Sequence, residues 1–203
     1  MRLGNIEEAA KLAEHSIKLD AVSPFMMLVI GLREAKSGNW EKANDAFGKL
    51  PQSQLNQILS PLILGWTSIA RGKVDLGVTS FSKISEKEGF EILGLLHLGL
   101  GYQIAGEVQK ADAAFEKALL HDTVPPDRLK ISTAAHYARS ARLAQARKMV
   151  KRLTKNNVDA TVLNTILEEQ TTLLNTEVFT TNAADCLAEA LFDISQTIKN
   201  DLT

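Results

Sequence analysis

The sequence predicts an all-α solenoid of antiparallel helix pairs, and three observations carry that prediction. The first is a period. Gly4, Gly38, Gly72 and Gly106 stand 34 residues apart each time, and Gly31, Gly65 and Gly99 repeat the spacing seven residues upstream of the last three. The same ruler aligns Ala9, Ala43, Gly77 and Ala111, then Phe47, Phe81 and Phe115, with one apolar slot kept by Ile6, Trp40, Val74 and Val108. The second is apolar recurrence at three- and four-residue spacing within each period, the pattern of helices that bury one side. The third is composition. Five prolines, 5% aromatic residues and long Leu/Ala/Lys/Glu stretches in 203 residues favour helix.

Each column has a physical task. The Gly38 series closes a helix where the chain turns through positive φ. The Gly31 series falls mid-helix, where glycine costs about 1 kcal/mol in propensity, so close approach of a neighbouring helix is the expected compensation. The Ala43 series meets that small spot from the second helix, and the Phe47 series fills the gap behind it.

Composition narrows the class. Hydrophobic residues at 45% and charged residues at 23% belong to a folded, soluble chain. With 23 basic and 24 acidic residues the net charge is -1, so no nucleic-acid partner is expected. The single cysteine, Cys186, excludes a disulfide framework and a cysteine metal cluster. Met1 to Asn5 contains no signal-peptide core. The longest uncharged run, 50–70, is too polar for the roughly 20 apolar residues of a membrane span, so no membrane insertion is expected. The compartment stays open: cytoplasm, or periplasm were a signal peptide to precede Met1.

The third full unit, Leu95-x2-Leu98-Gly99-x2-Tyr102 followed by Ala111-x3-Phe115 and Ala118, resembles the tetratricopeptide repeat family. Departures from the family pattern are clear. Met27, Pro61 and Leu95 stand where the family has its first tryptophan, and the closing proline is displaced or absent. The resemblance implies a right-handed superhelix over 1–155: a half repeat at 1–22, full repeats at about 23–56, 57–90 and 91–125, and a degenerate repeat at 126–156. In that last unit Tyr137, Ala146, Val150 and Leu153 fit after one inserted residue, and Ala141 replaces the turn glycine. Residues 157–203 form a C-terminal helical segment, with helices expected at about 160–174 and 183–199 around a Thr/Asn-rich hinge at 175–182. The run Leu187 to Ile194 resembles the opening helix of a further repeat in long bacterial, alphaproteobacterial proteins. The chain is therefore expected to be a fragment of such a protein, starting inside a second helix at 6–19.

By family analogy the first helix of each pair lines a concave face. The positions that reach it are Phe25, Leu28, Leu32, Ala35 and Lys36, then Leu59, Leu62, Trp66, Ile69 and Ala70, then Leu93, Leu96, Leu100, Gln103 and Ile104. Only Lys36 and Gln103 have the character needed to clamp a peptide carboxylate, so the expected groove is apolar. Its large lining residues are Leu28, Leu32, Leu62, Trp66, Ile69, Leu96, Leu100 and Ile104. That much apolar surface needs a cover. Three covers are open: the chain's own C-terminal helices, a second copy in a homo-oligomer, or an amphipathic helix of a protein or peptide partner. The expected function is thus a non-catalytic interaction module, a scaffold or adaptor. The alternative is a structural or self-assembly element whose groove is filled from within.

A basic run, Arg142, Arg147, Lys148, Lys151, Arg152 and Lys155, has no acid between its members. On a continuing helix Lys148, Lys151, Arg152 and Lys155 share one face, either a docking patch for an acidic partner or, in the favoured reading, a solvated convex face.

Enzyme signatures fail one by one. Gly99-x-Gly101-x4-Gly106 has the wrong spacing for a dinucleotide loop, and Gly72-Lys73-Val74 lacks the hydroxyl and upstream glycine of a phosphate loop. His15, His97, His121 and His136 show no metal-protease spacing. Glu168 and Glu169 diverge on a helix, and Cys186 has a neighbouring acid but no base. No catalytic residue, metal or cofactor is expected.

Overall fold

The computed structural model describes residues 5–18, 24–51, 56–122, 124–153 and 182–201. Among these are ten α-helices: α1 (Ile6–Lys18), α2 (Pro24–Lys36), α3 (Trp40–Phe47), α4 (Asn56–Ala70), α5 (Val74–Ser85), α6 (Glu91–Ile104), α7 (Val108–His121), α8 (Asp127–Arg139), α9 (Leu143–Val150) and α10 (Ala183–Asp201). The described residues are all-α, and the helices pack in sequential pairs. The helix expected at 160–174 and the hinge before Asn182 lie outside the described residues, as does Gly4.

The chain forms two compact units, Met1–Phe81 with Asn182–Thr203, and Ser82–Thr181; the division falls inside α5. In the first unit α1 packs on α2, α2 on α3, α3 on α4, and α10 on α4. In the second, α6 pairs with α7 and α8 with α9, while α8 also packs on both α6 and α7.

Four connections of three residues, 37–39, 71–73, 105–107 and 140–142, join the helices of a pair. Each is closed the same way. The N–H groups of Asn39, Lys73, Glu107 and Arg142 donate to Glu34, Ser68, Tyr102 and Tyr137 carbonyls at 2.8, 2.8, 2.9 and 2.8 Å, five residues back. Such a closure needs a left-handed residue, and Gly38, Gly72 and Gly106 supply φ of 75, 76 and 76°. Ala141 supplies 58° in the fourth, so the residue inserted in that unit is absorbed before the turn rather than within it.

The mid-helix glycines meet the phenylalanine column. A Cβ on Gly31 would run into the ring of Phe47, one on Gly65 into that of Phe81, and one on Gly99 would lie 2.9 Å from two ring carbons of Phe115. The same contact thus recurs at 34-residue spacing. From the other side, a Cβ on Gly77 would come within 2.7 Å of the Gly65 carbonyl, so the second helix approaches α4 backbone to backbone. In the fourth pair both partners change together. Ala134 replaces the glycine and Val150 the phenylalanine, and both sit in one buried cluster with Ile131, Tyr137, Ala138, Ala146 and Met149. One methyl gained on one helix is offset by a smaller side chain on the other.

Helix α1 departs from the ruler. Ala43, Gly77 and Ala111 are buried, but Ala9 is exposed and Ala10 and Ala13 are buried instead. The reason is the partner. Helix α1 packs on α2, which follows it, whereas α3 and α7 pack most on the helix before them and less on the one after, so the buried stripe of α1 is turned.

Candidate functional site

The expected groove residues divide between the units. In the first, Leu62, Trp66 and Ile69 on α4 are buried, Trp66 with no exposed surface, while Leu28 and Leu32 on α2 are half-buried. Helix α10 packs on α4. Its start is fixed by Asn182, whose Oδ1 accepts from the N–H groups of Ala184 and Asp185 at 2.9 and 3.0 Å, while its Nδ2 donates to Asp185 Oδ2 at 3.0 Å. Ala183, Cys186, Leu187, Ala190 and Ile194 follow as a buried stripe at helical spacing. Trp66 also meets the Phe81 ring, with centroids 4.8 Å apart.

In the second unit Leu96 and Leu100 on α6 are buried and Ile104 is half-buried. Gln103, placed by analogy on the concave face, reaches α8: its Oε1 lies 3.2 Å from His136 Nδ1. That contact opens a polar cluster that reading the histidines one at a time missed. His136, on α8 and 1% exposed, sets Nε2 2.8 Å from Asp112 Oδ1 on α7. Arg142, in the turn before α9, grips the same carboxylate with two bonds, Nη1 to Oδ2 at 2.8 Å and Nη2 to Oδ1 at 2.6 Å. Its guanidinium lies over the Tyr137 ring, 4.7 Å from the centroid, and Phe115 flanks the imidazole at 5.1 Å.

Burial is the largest influence on His136 and holds its pKa below the ordinary value, favouring the neutral ring against the pull of Asp112. The bonds from Arg142 and His136 outweigh the burial of Asp112 and keep its carboxyl below the usual carboxylate range. Asp112 raises the Arg142 guanidinium further. The cluster ties three helices and a turn with charge-assisted bonds.

A signal for it was present in the repeat register. Asn44 on α3 stands two periods before Asp112, and Thr67 on α4 stands two periods and the inserted residue before His136. Those two residues also touch: Thr67 Oγ1 lies 3.3 Å from Asn44 Oδ1. The same two register positions join a second helix to the first helix of the next pair in both units.

The basic run is broken up. Arg142 turns inward to Asp112, and α9 closes at Val150, where the N–H groups of Arg152 and Leu153 fold back on carbonyls three residues earlier. Lys151 and Arg152 therefore lie in the turn beyond the helix rather than on a continuing face. Lys148, Lys151 and Arg152 are exposed, and Lys155 lies outside the described residues. Among the described residues no three His, Cys, Asp or Glu side chains gather as a metal ion would require, and no helix is long and apolar enough to cross a membrane. Glu168 and Glu169 fall outside the description.

The fold and site define an all-α protein of sequential helix pairs with one helix returned from the C-terminal end onto its first unit. No family model, curated protein or solved structure matches the chain.

Proposed function

We propose that the chain is a non-catalytic interaction module of the tetratricopeptide kind, a right-handed solenoid that holds an amphipathic helix against the apolar face of its first helices. In the free protein α10 is that helix. The observation that carries the reading is the seating of α10 on α4, the helix that presents Leu62, Trp66 and Ile69. Support for the repeat register comes from the glycine–phenylalanine contacts at one spacing and from the four identical turn closures. A partner helix would then have to displace α10, and its stripe would resemble that of α10: small residues alternating with aliphatic ones.

The test uses Trp66 as reporter in a Trp40→Phe background. Ala190→Glu places a charge in the buried stripe of α10 and should release it, making Trp66 quenchable by acrylamide. A synthetic peptide of residues 182–201 should then restore protection saturably. Trp66 still shielded after Ala190→Glu would reject the groove. Release without capture of the peptide would make α10 an integral part of the fold, the structural alternative.

A further inference from the structure

We propose that the Gln103–His136–Asp112 bridge is a pH-sensitive latch that holds the α8–α9 pair on the α6–α7 pair, tight with a neutral imidazole and weakened by its protonation.

The argument begins with hydrogens. Asp112, gripped by Arg142, is a carboxylate and can only accept, so the 2.8 Å contact requires a proton on His136 Nε2. Nδ1 of the neutral ring is then an acceptor, satisfied when the Gln103 amide turns its nitrogen toward it. The imidazolium has a proton on Nδ1 and takes the amide oxygen, at 3.2 Å. A half-turn of one amide therefore serves both states, and the number of bonds does not change on protonation.

The charge does change. Arg142 Nη2 lies 3.2 Å from His136 Nε2, both directed at Asp112 Oδ1. Protonation sets two cations beside one carboxylate, around a ring with 1% of its surface in water. The charges acting on the imidazole are Asp112 from α7, Arg142 from the turn before α9, and Arg139 from α8 itself. Glu116, further along α7, acts on Arg142 and Tyr137. Helix α6 offers the uncharged Gln103, and the cations on α9 are Arg147 and Lys148. An added positive charge meets two arginines and a single carboxylate that Arg142 already engages.

The sign follows. Burial holds the folded pKa below the ordinary value of 6.5, so the unfolded chain binds the proton first as pH falls. The joint is at full strength above that value and loses it on acidification.

The fold does not require a titrating group at this position. At the matching junction of the first unit Thr67 Oγ1, which donates to the Leu64 carbonyl at 3.0 Å, lies 3.3 Å from Asn44 Oδ1, and neither side chain titrates. That contrast separates a latch from a generic interhelix bond.

The experiment is hydrogen exchange of the full chain from pH 7.5 to 5.0, corrected for intrinsic exchange rates. Protection across 127–150 should fall with acidification, by no more than about ten-fold per pH unit because one proton is linked. Segment 40–70, around Thr67, should not follow. His136→Gln keeps a donor toward Asp112 and should remove the pH dependence; Asp112→Asn should move its midpoint to lower pH. A pH dependence that survives His136→Gln, or none in the wild type, overturns the proposal. Should His136→Gln fail to fold, an NMR titration of wild-type His136 decides: a midpoint below 6.5 supports the latch, and one at or above 6.5 overturns it.

Discussion

Helices α4 and α8 are both buried along nearly their whole length, by opposite means. Helix α4 buries Ile58, Leu59, Leu62, Ile63, Trp66 and Ile69, with Thr67 and Ser68 as its polar exceptions. Helix α8 buries Lys130, Ser132, Thr133 and His136 among its apolar residues. Lys130 Nζ holds Asp127 at 2.9 Å, Thr133 Oγ1 returns to the Leu129 carbonyl at 2.8 Å, and His136 enters the Asp112 cluster. The first helix gains from area removed from water, which tolerates small shifts. The second depends on bonds that must all be made, because an unmet buried polar group costs about 1–3 kcal/mol. Helix α4 is thus held by bulk and helix α8 by geometry.

The largest expected effect lies on the apolar side. Trp66→Ala removes the largest fully buried side chain and its contact with Phe81, and should cost about 3–5 kcal/mol in denaturant unfolding. A cost below about 1 kcal/mol would mean that α4 is not the centre of the first unit's core.

Next comes a coupled pair in the second unit. Gly99→Ala forces a Cβ against the Phe115 ring and should cost about 1–3 kcal/mol by overpacking. The fourth pair has already replaced glycine and phenylalanine by Ala134 and Val150. In a Phe115→Val background, therefore, Gly99→Ala should cost markedly less, with a coupling of about 1 kcal/mol in the double-mutant cycle. Additive costs would show that the two columns do not touch as described.

On the polar side, Asp112→Ala leaves His136 and Arg142 without their shared acceptor. Asp112 keeps about a quarter of its side chain in solvent (23%), so the cost is set at about 2 kcal/mol rather than that of a sealed ion pair. The geometric reading is sharpened if Asp112→Asn recovers only part of that loss. Full recovery would mean that shape, not charge, holds α8.

These contrasts explain what could be read from sequence. The pairing of helices, the turn glycines and the glycine–phenylalanine contact were legible because each is enforced by a local steric rule repeated at one spacing. The apolar run that buries Trp66 was legible, but the packing of α10 on α4 is a tertiary matter that no single segment encodes. The polar cluster was missed because Gln103, Asp112, His136 and Arg142 come from four different elements, and only a comparison of equivalent register positions links them. The end of α9 at Val150, before Lys151 and Arg152, was not legible, because an apolar pattern marks the end of a helix only loosely.

The smallest predicted effect tests the turn that both units share. Gly38, Gly72 and Gly106 adopt left-handed φ without a Cβ, whereas Ala141 carries one at φ 58°. A left-handed alanine costs roughly 1–2 kcal/mol, part of which glycine returns through the greater freedom of its unfolded chain. Ala141→Gly should therefore stabilise the protein by about 0.5–1 kcal/mol, and Gly106→Ala should destabilise it by a similar amount, with no neighbour within 4 Å to confuse the comparison. Ala141 precedes Arg142 in the turn, so the Asp112–Arg142 contact should be checked alongside the stability of Ala141→Gly. If Ala141→Gly proves destabilising, Ala141 must contribute contacts that outweigh its strain, and the fourth turn could not be treated as a strained copy of the other three.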